Sequence, residues 1–438
     1  MDWKKTYESR LTSPEEAVKL IKSGDKVVFA HDVSEPPILV DALCKNAASY
    51  KNVEISHMFT LGTGEYAKPE YKENFHINSW FVSGPIRGAL DAGYGDYTPA
   101  FFHEVPALMR KGIITVDVAM IMVTPPDENG KVSTGLAADY TVQAVKSAKT
   151  VIAQVNENLP FTYGDCVFDV EEIDAFVIGN TPLPILPPAK IGETEEAIGK
   201  YCASLVEDGA TLQLGIGAIP DAVLHQLKDK KHLGIHSEML SDTVVDLVEL
   251  GVIDGSEKSI NKGKIVINFV MGGQKLYDFL DRNESVLLMA VDYVNHPMVV
   301  AQNSKMVSIN AALAIDFFGQ VAADTIGLRQ FSGVGGQVDF IRGCAMATDG
   351  KGISIIAMPS VTVKKDGSMI SKISPYLSEG TCVTTSRHDV DYVVTEYGIA
   401  HLKGKTVKDR ARALINIAHP NFRDELKAEF EKMFKSEF

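Results

Sequence analysis

Apolar residues in this chain fall into two rhythms. Short unbroken runs read as strands buried on both faces: Lys26-Val27-Val28-Phe29-Ala30, Val118-Ala119-Met120-Ile121-Met122-Val123, Thr150-Val151-Ile152-Ala153, Ala175-Phe176-Val177-Ile178, Thr211-Leu212-Gln213-Leu214, Lys264-Ile265-Val266-Ile267-Asn268, Ser285-Val286-Leu287-Leu288-Met289 and Ile353-Ser354-Ile355-Ile356. Helix-period segments separate many of them, and two more helices, Val407 to Ala418 and Asn421 to Phe434, close the chain. The alternation predicts an α/β protein with mostly parallel sheets.

The same order of elements occurs twice. The first occurrence opens on Ser13-Pro14-Glu15-Glu16, with Ser13 as N-cap, Pro14 at the first helical position and Glu16 closing a capping box. Its helix ends near Gly24, the strand at Lys26 follows, and a loop with Pro36 and Pro37 leads to a helix through Leu39 and Leu43. The second opens on Thr194-Glu195-Glu196, and its helix ends near Gly209. There the strand at Thr211 leads through a loop with Pro220 to a helix through Val223 and Leu227. Helix, glycine, strand, proline loop, helix in one order points to an internal duplication. Pro182, Pro184, Pro187 and Pro188 form a stiff connector, which places a boundary at about residue 190. The expected domains are 1–190 and 191–438. With 438 residues the chain exceeds one ordinary core.

Charge and cysteine content narrow the function. A net charge of −14 argues against a nucleic-acid binder, though not against an anionic ligand held locally by helix N-termini and a few cations. No apolar run reaches the ~18 residues of a membrane span, and Met1-Asp2-Trp3-Lys4-Lys5 is no secretory signal. A cytoplasmic protein is expected. Cys44, Cys166, Cys202, Cys344 and Cys382 are scattered and read as reduced thiols. His232 and His236 lie four apart in a strand-like run, roughly 13 Å by strand rise, too far for one metal.

The candidate chemistry gathers around Gly234-Ile235-His236-Ser237-Glu238-Met239-Leu240. There a strand-like run ends in a carboxylate whose apolar neighbours leave it no solvated face. The glycine loop Gly215-Ile216-Gly217-Ala218-Ile219-Pro220 precedes it, and Ser332-Gly333-Val334-Gly335-Gly336-Gln337 follows about a hundred residues later. A carboxylate between loops that permit close backbone approach suits a nucleophile with an oxyanion hole. The bland alternative for Glu238 is a solvated surface glutamate, and for Gly215 and Gly217 a tight strand-to-helix turn. A nicotinamide oxidoreductase would rest on Gly215 and Gly217, but Pro220 stands where a dinucleotide fold wants its third glycine. Ser237 lacks a nucleophile-elbow context. His31, Glu35, Arg87, Tyr94, Asp96, Tyr97 and His103 are candidates for shaping a pocket, and Glu396-Tyr397-Gly398 for facing a cleft. Loop capping and turns account for these equally well.

Taken together, Gly215 to Pro220, His236-Ser237-Glu238-Met239, Phe318-Gly319-Gln320, Gly333 to Phe340, Thr395-Glu396-Tyr397-Gly398 and Pro126 to Ser133 make the whole chain resemble the family I coenzyme A transferases. The resemblance is to the branch holding acetyl-CoA hydrolase/transferases and butyrate or 4-hydroxybutyrate CoA-transferases. It implies two related open α/β, Rossmann-like domains with the active site between them. It implies Glu238 as nucleophile and Gly336 as an oxyanion-hole N–H. It assigns Gly215, Ile216, Gly217, Ala218, Ile219, Leu313, Gly335, Gly336 and Lys364 to coenzyme A. The partners implied are acyl-CoA and short-chain carboxylates, with CoA as co-substrate and covalent thioester, no resident cofactor or metal, and a homo-oligomer, most simply a homodimer. The expected reaction moves CoA between 4-hydroxybutyryl-CoA or butyryl-CoA and acetate. An acyl-CoA hydrolase on the same scaffold is the nearest rival.

Overall fold

The computed structural model describes residues 2–438. The chain divides into two compact units. One holds residues 1–187 and 266–294, the other 188–265 and 295–438.

The first unit is built on a seven-stranded parallel sheet. Its strands are β1 (Lys26–Phe29), β2 (Val53–His57), β3 (Phe75–Ser79), β4 (Gly95–Tyr97), β5 (Val118–Val123), β6 (Thr150–Val155) and β7 (Ala175–Ile178), in the spatial order β7-β6-β5-β1-β2-β3-β4. Every residue of β5 is buried, as a central strand covered on both faces requires. Val27, Phe29, Ile55, Ile77 and Met120 meet Leu39 and Leu43 in one core.

The second unit carries β8 (Thr211–Leu214), β9 (Gly234–Ile235), β10 (Met306–Ala311), β11 (Ile353–Ala357), β12 (Tyr392–Thr395) and β13 (Gly398–His401), in the order β9-β8-β10-β11-β12-β13. All neighbours are parallel except β12 and β13, a hairpin. The helices used below are α1 (Glu193–Ser204), α2 (Ala218–His225), α3 (Gln337–Ala345), α4 (Val407–Asn416) and α5 (Pro420–Phe434).

The duplication predicted from the element order is present in the topology. In each sheet the first strand lies between the second and the third of a common five, followed by the fourth and fifth. That order is β2-β1-β5-β6-β7 in one unit and β9-β8-β10-β11-β12 in the other. Such doubly wound sheets bind ligands beyond the carboxyl ends of the strands, where the winding reverses. In the second unit the reversal falls between β8 and β10. The residues just past those two ends are Gly215 to Gly217 and Leu313.

Local details differ from the patterns in three places. The helix after Ser13 is short: Pro14–Ala17 is α-helical, Val18–Leu20 is 3₁₀, and the chain turns before Gly24. Ser13 does accept from the Glu16 amide, at 3.3 Å. In the second half the helix starts one residue before Thr194, with Gly192 as N-cap, and the Glu195 carboxylate accepts from the Gly192 amide at 2.9 Å. The run at His232 is strand only over Gly234–Ile235, and His232 has φ of 57°.

The largest difference concerns the boundary. A single division at about 190 leaves residues 266–294 in the second half, whereas they belong to the first unit. Their hydrogen bonds explain why. The Asp281 carboxylate accepts from the Phe161 amide and the Asp165 carboxylate from the Ala290 amide. Val286–Leu288 pairs with Tyr163–Gly164, and a Cβ on Gly164 would come within 2.1 Å of the Leu288 carbonyl oxygen.

Candidate active site

Glu238 stands three residues beyond β9 and is half-buried. The chain that brings it there is pinned. The His236 amide donates to the Leu212 carbonyl at 3.1 Å, and the His236 ring meets Phe340 of α3 edge-on at 6.5 Å. The Ser237 hydroxyl donates to the Leu214 carbonyl at 3.1 Å, and the Leu214 amide donates back to it at 3.4 Å. Leu214 is the last residue of β8, so this pair fixes the approach to Glu238 against the start of the Gly215 loop. On the far side Met239 and Leu240 are buried. Ser237 thus has a structural job, consistent with its lack of a hydrolase motif.

Glu238 Oε2 accepts a hydrogen bond from Asn295 Nδ2 at 2.7 Å. Beside both lies Gly336. A Cβ built on Gly336 would fall 1.9 Å from Glu238 Oε2 and 2.3 Å from Asn295 Nδ2. No other residue fits there without displacing the carboxylate. Gly336 is also the N-cap of α3, and Gly335 before it has φ of 54°. The positive end of a nine-residue helix therefore begins beside the carboxylate. Gln337 anchors that turn, its amide donating to the Ala311 carbonyl at the end of β10 and accepting from the Thr385 hydroxyl.

The Gly215 loop leads into α2, with Gly217 as N-cap at φ 109°, ψ −174°, a conformation that only glycine adopts comfortably. A Cβ at Gly215 would meet nothing within 4 Å, so packing does not explain that glycine. Ile216, Ala218 and Ile219 are half-buried in the loop and the first turn of α2. Asp221, also in that turn, accepts from the Thr243 hydroxyl at 3.0 Å and the Ser241 hydroxyl at 3.3 Å. Burial raises its pKa. Below β9 the buried Lys258 donates to the Ile235 and Lys264 carbonyls, each at 2.7 Å, and burial pushes its pKa down to about 7.

Leu313 and Lys364 belong to the same unit. Leu313 lines a cavity of about 780 Å³. Lys364 is exposed in the turn joining Val361–Val363 to Met369–Ser371. Glu396 does not stand free at its turn. Its carboxylate accepts from the Ser360 amide at 2.8 Å and hydroxyl at 2.5 Å, which ties β12 to the segment after β11.

The first-unit candidates form their own polar cluster past the end of β1. His31 Nδ1 is 2.9 Å from Asp139 Oδ2. Glu35 accepts from Thr60 and Tyr66, and burial raises its pKa to about 7. Asp32 is 2% exposed with φ of 56°, and burial raises its pKa to about 7 as well. Asp96 faces His76 at 3.1 Å, His103 stacks on Phe101, Tyr94 and Tyr97 pack on the core, and Arg87 lies in the helix Gly84–Asp91.

Asn295, Asp221 and Lys258 are the residues that reading the sequence missed. Asn295 acts across 57 residues, and no local spacing marks it.

Two family models match this chain. The acetyl-CoA hydrolase/transferase N-terminal domain covers residues 1–187 and the corresponding C-terminal domain residues 272–430. The chain belongs to the acetyl-CoA hydrolase/transferase family, and it is an enzyme of the CoA-transferase kind. It is 54% identical to the 4-hydroxybutyrate coenzyme A transferase of Clostridium kluyveri over 99% of this chain and 100% of that one. It is 36% identical to the butyryl-CoA:acetate CoA-transferase of Anaerostipes caccae over 99% and 98%. Among solved structures, a 4-hydroxybutyrate CoA-transferase from Porphyromonas gingivalis matches with a TM-score of 0.85 and 37% identity, over 99% of this chain and all of that one.

Proposed function

We propose that this enzyme moves CoA between a short-chain acyl-CoA, 4-hydroxybutyryl-CoA or butyryl-CoA, and acetate, through a glutamyl-CoA thioester on Glu238. The observation that carries the reading is the Glu238 carboxylate held by Asn295 against Gly336 at the start of α3.

That arrangement supports a stepwise transfer. A Glu238 oxygen attacks the thioester carbonyl, and negative charge develops on the carbonyl oxygen. Backbone N–H groups at Gly336 and the first turn of α3 suit that charge. Collapse expels CoA as thiolate and leaves a mixed anhydride between the acyl group and Glu238. The thiolate then attacks the glutamyl carbonyl, the acyl group leaves as a free carboxylate, and Glu238 carries CoA as a thioester. Acetate reverses these steps and departs as acetyl-CoA. The thioester bond is exchanged rather than hydrolysed, and the kinetics are ping-pong. A carboxylate is a weak nucleophile, so binding energy from the distant parts of CoA assists the reacting centre. Gly215 to Ile219, Leu313, Gly335 and Lys364 are the residues we assign to CoA.

All five cysteines are free, which fits a cytoplasmic setting. A closed homo-oligomer is the expected assembly, and light scattering on the purified protein tests it.

The deciding experiment traps the intermediate. The protein is incubated with butyryl-CoA and no acceptor, treated with borohydride, and mapped by mass spectrometry. Conversion of Glu238 to its alcohol, absent in Glu238→Gln, is expected. An unmodified Glu238 together with full activity in Glu238→Gln would sink the assignment. Release of free CoA without acetate, as fast as butyryl-CoA is consumed with it, would make the enzyme a hydrolase instead.

A further inference from the structure

The sheet of the first unit also has a point where its winding reverses, between β1 and β5. Ligands of doubly wound sheets settle beyond the strand ends at such a point. The loop His31 to Glu35 stands there, past the end of β1, and its backbone is held. The Asp32 amide donates to the Phe59 carbonyl at 3.0 Å, the Ser34 amide to the His31 carbonyl at 3.0 Å, and the Glu35 amide to the Asp32 carbonyl at 3.2 Å. Asp32 is kept at φ 56°, a left-handed conformation uncommon outside glycine.

Two side chains of this fixed loop lack what buried polar groups ordinarily have. The carboxylates of Asp32, Glu35 and Asp139 are all buried and close enough to influence one another. Asp139 accepts from the Thr141 amide and hydroxyl, each at 2.9 Å, and faces His31. Glu35 accepts from Thr60 and Tyr66. Asp32 has no such partner among the described residues. Neither of its oxygens makes a hydrogen bond, and the His31 ring and the Val33 amide favour its charge only from poorer geometry. The Ser34 hydroxyl, fully buried, is equally unpaired. Burying such groups is costly unless something pairs with them.

The two groups together select the partner. A carboxylate accepts, and a serine hydroxyl can donate. A ligand hydroxyl satisfies both, donating to Asp32 and accepting from Ser34. An ammonium only donates, so the Ser34 proton would stay unpaired, and it would bring a full charge into a buried place. The surroundings suit an aliphatic chain: the His31 ring packs on Phe102 and Phe269, with centroids at 5.7 and 4.4 Å. We propose that Asp32 and Ser34 recognise the hydroxyl of a short hydroxyacyl group and so favour 4-hydroxybutyrate over butyrate. The assignment rests on the CoA-transferase reading above. A site built to bond a hydroxyl rejects the analogue without one, because its polar groups are then left unpaired.

The test measures CoA transfer from acetyl-CoA to 4-hydroxybutyrate and to butyrate by the parent enzyme, Asp32→Gly and Ser34→Ala. Glycine suits a φ of 56°, so Asp32→Gly removes the carboxylate without straining the loop. The parent is expected to favour 4-hydroxybutyrate in kcat/KM. Asp32→Gly should lower the ratio of kcat/KM, 4-hydroxybutyrate over butyrate, about 10–100-fold, and Ser34→Ala about three- to tenfold. Asp32→Gly should melt no lower than the parent, since an unpaired buried group is gone. A parent ratio near one, or an unchanged ratio in Asp32→Gly, would overturn the proposal. So would equal losses on both acids, which would make Asp32 structural. A preference for 4-aminobutyrate over both acids, abolished in Asp32→Gly, would mark a cation site and overturn it too. A parent that transfers CoA to neither acid sinks the transferase reading instead. Melting then judges the site: 4-hydroxybutyrate should raise the parent's melting temperature more than butyrate does, with the excess lost in Asp32→Gly, and an equal rise for both acids would overturn it.

Discussion

At the scale of single residues, the site depends on what is missing at Gly336 as much as on what is present at Glu238. Gly336→Ala puts a methyl group where the carboxylate lies. Alanine keeps the backbone N–H, so we expect the loss, about 10² or more in kcat, to come from displacement of the nucleophile. Asn295→Ala frees the carboxylate to rotate and should cost about 10² in kcat through misplacement alone, with little change in KM. Steady-state kinetics on both variants decide the matter. Glu35 allows a different check. Its carboxyl ionises near its ordinary value when unfolded but only near pH 7 when folded, because burial penalises the charge. Raising the pH through that window deprotonates the unfolded state first and so lowers stability. The penalty is absent below about pH 4 and complete above about pH 7. The melting temperature of Glu35→Gln minus that of the parent should therefore rise from pH 4 to pH 7 and then level off. A flat difference would contradict the buried-carboxyl picture.

Among elements, the strand-to-helix turn at Gly217 is the one most exposed to substitution. Gly217→Ala forces a side chain into a glycine conformation and should cost about 1–3 kcal/mol. Differential scanning calorimetry would show this as several degrees of lost melting temperature, with a raised KM for acyl-CoA. The element level is also where sequence reading works best. Val118–Val123 is legible because a doubly covered strand has no polar position to confuse it. The doubled order of helix, strand and proline loop is legible because its punctuation, glycine and proline, acts locally. Glu238 beside the glycine loops is legible as a strand end next to flexible backbone. Asn295 is not, because its partner is 57 residues away and its own neighbours Val294 and His296 carry no signal. Lys258 is equally hidden. It reads as one more surface lysine until β9 and residue 264 bring two carbonyls to it.

On the scale of the whole molecule, the return of residues 266–294 to the first unit was beyond reach of local patterns. Those residues are strands and helices like any others, and only long-range pairing says where they belong. A fragment of residues 1–187 lacks the strand that pairs with Tyr163–Gly164 and the Asp281 carboxylate that receives the Phe161 amide. We expect it to be insoluble or to melt well below a chain that joins 1–187 to 266–294 through a flexible linker. Circular dichroism melts of the two would show it. Equal stability would mean that the returning segment adds nothing to the fold.

That return also sets a schedule for synthesis. The ribosome makes the first unit's seven-stranded sheet early, yet the last part of that unit emerges only after residue 294. At about 5–20 residues per second, more than a hundred residues of delay is on the order of five to twenty seconds. During that interval β8, β9 and the Glu238 segment emerge without β10, which is still to be made. A slow stretch of translation near residue 300 would let one unit close before the other begins to compete for its strands.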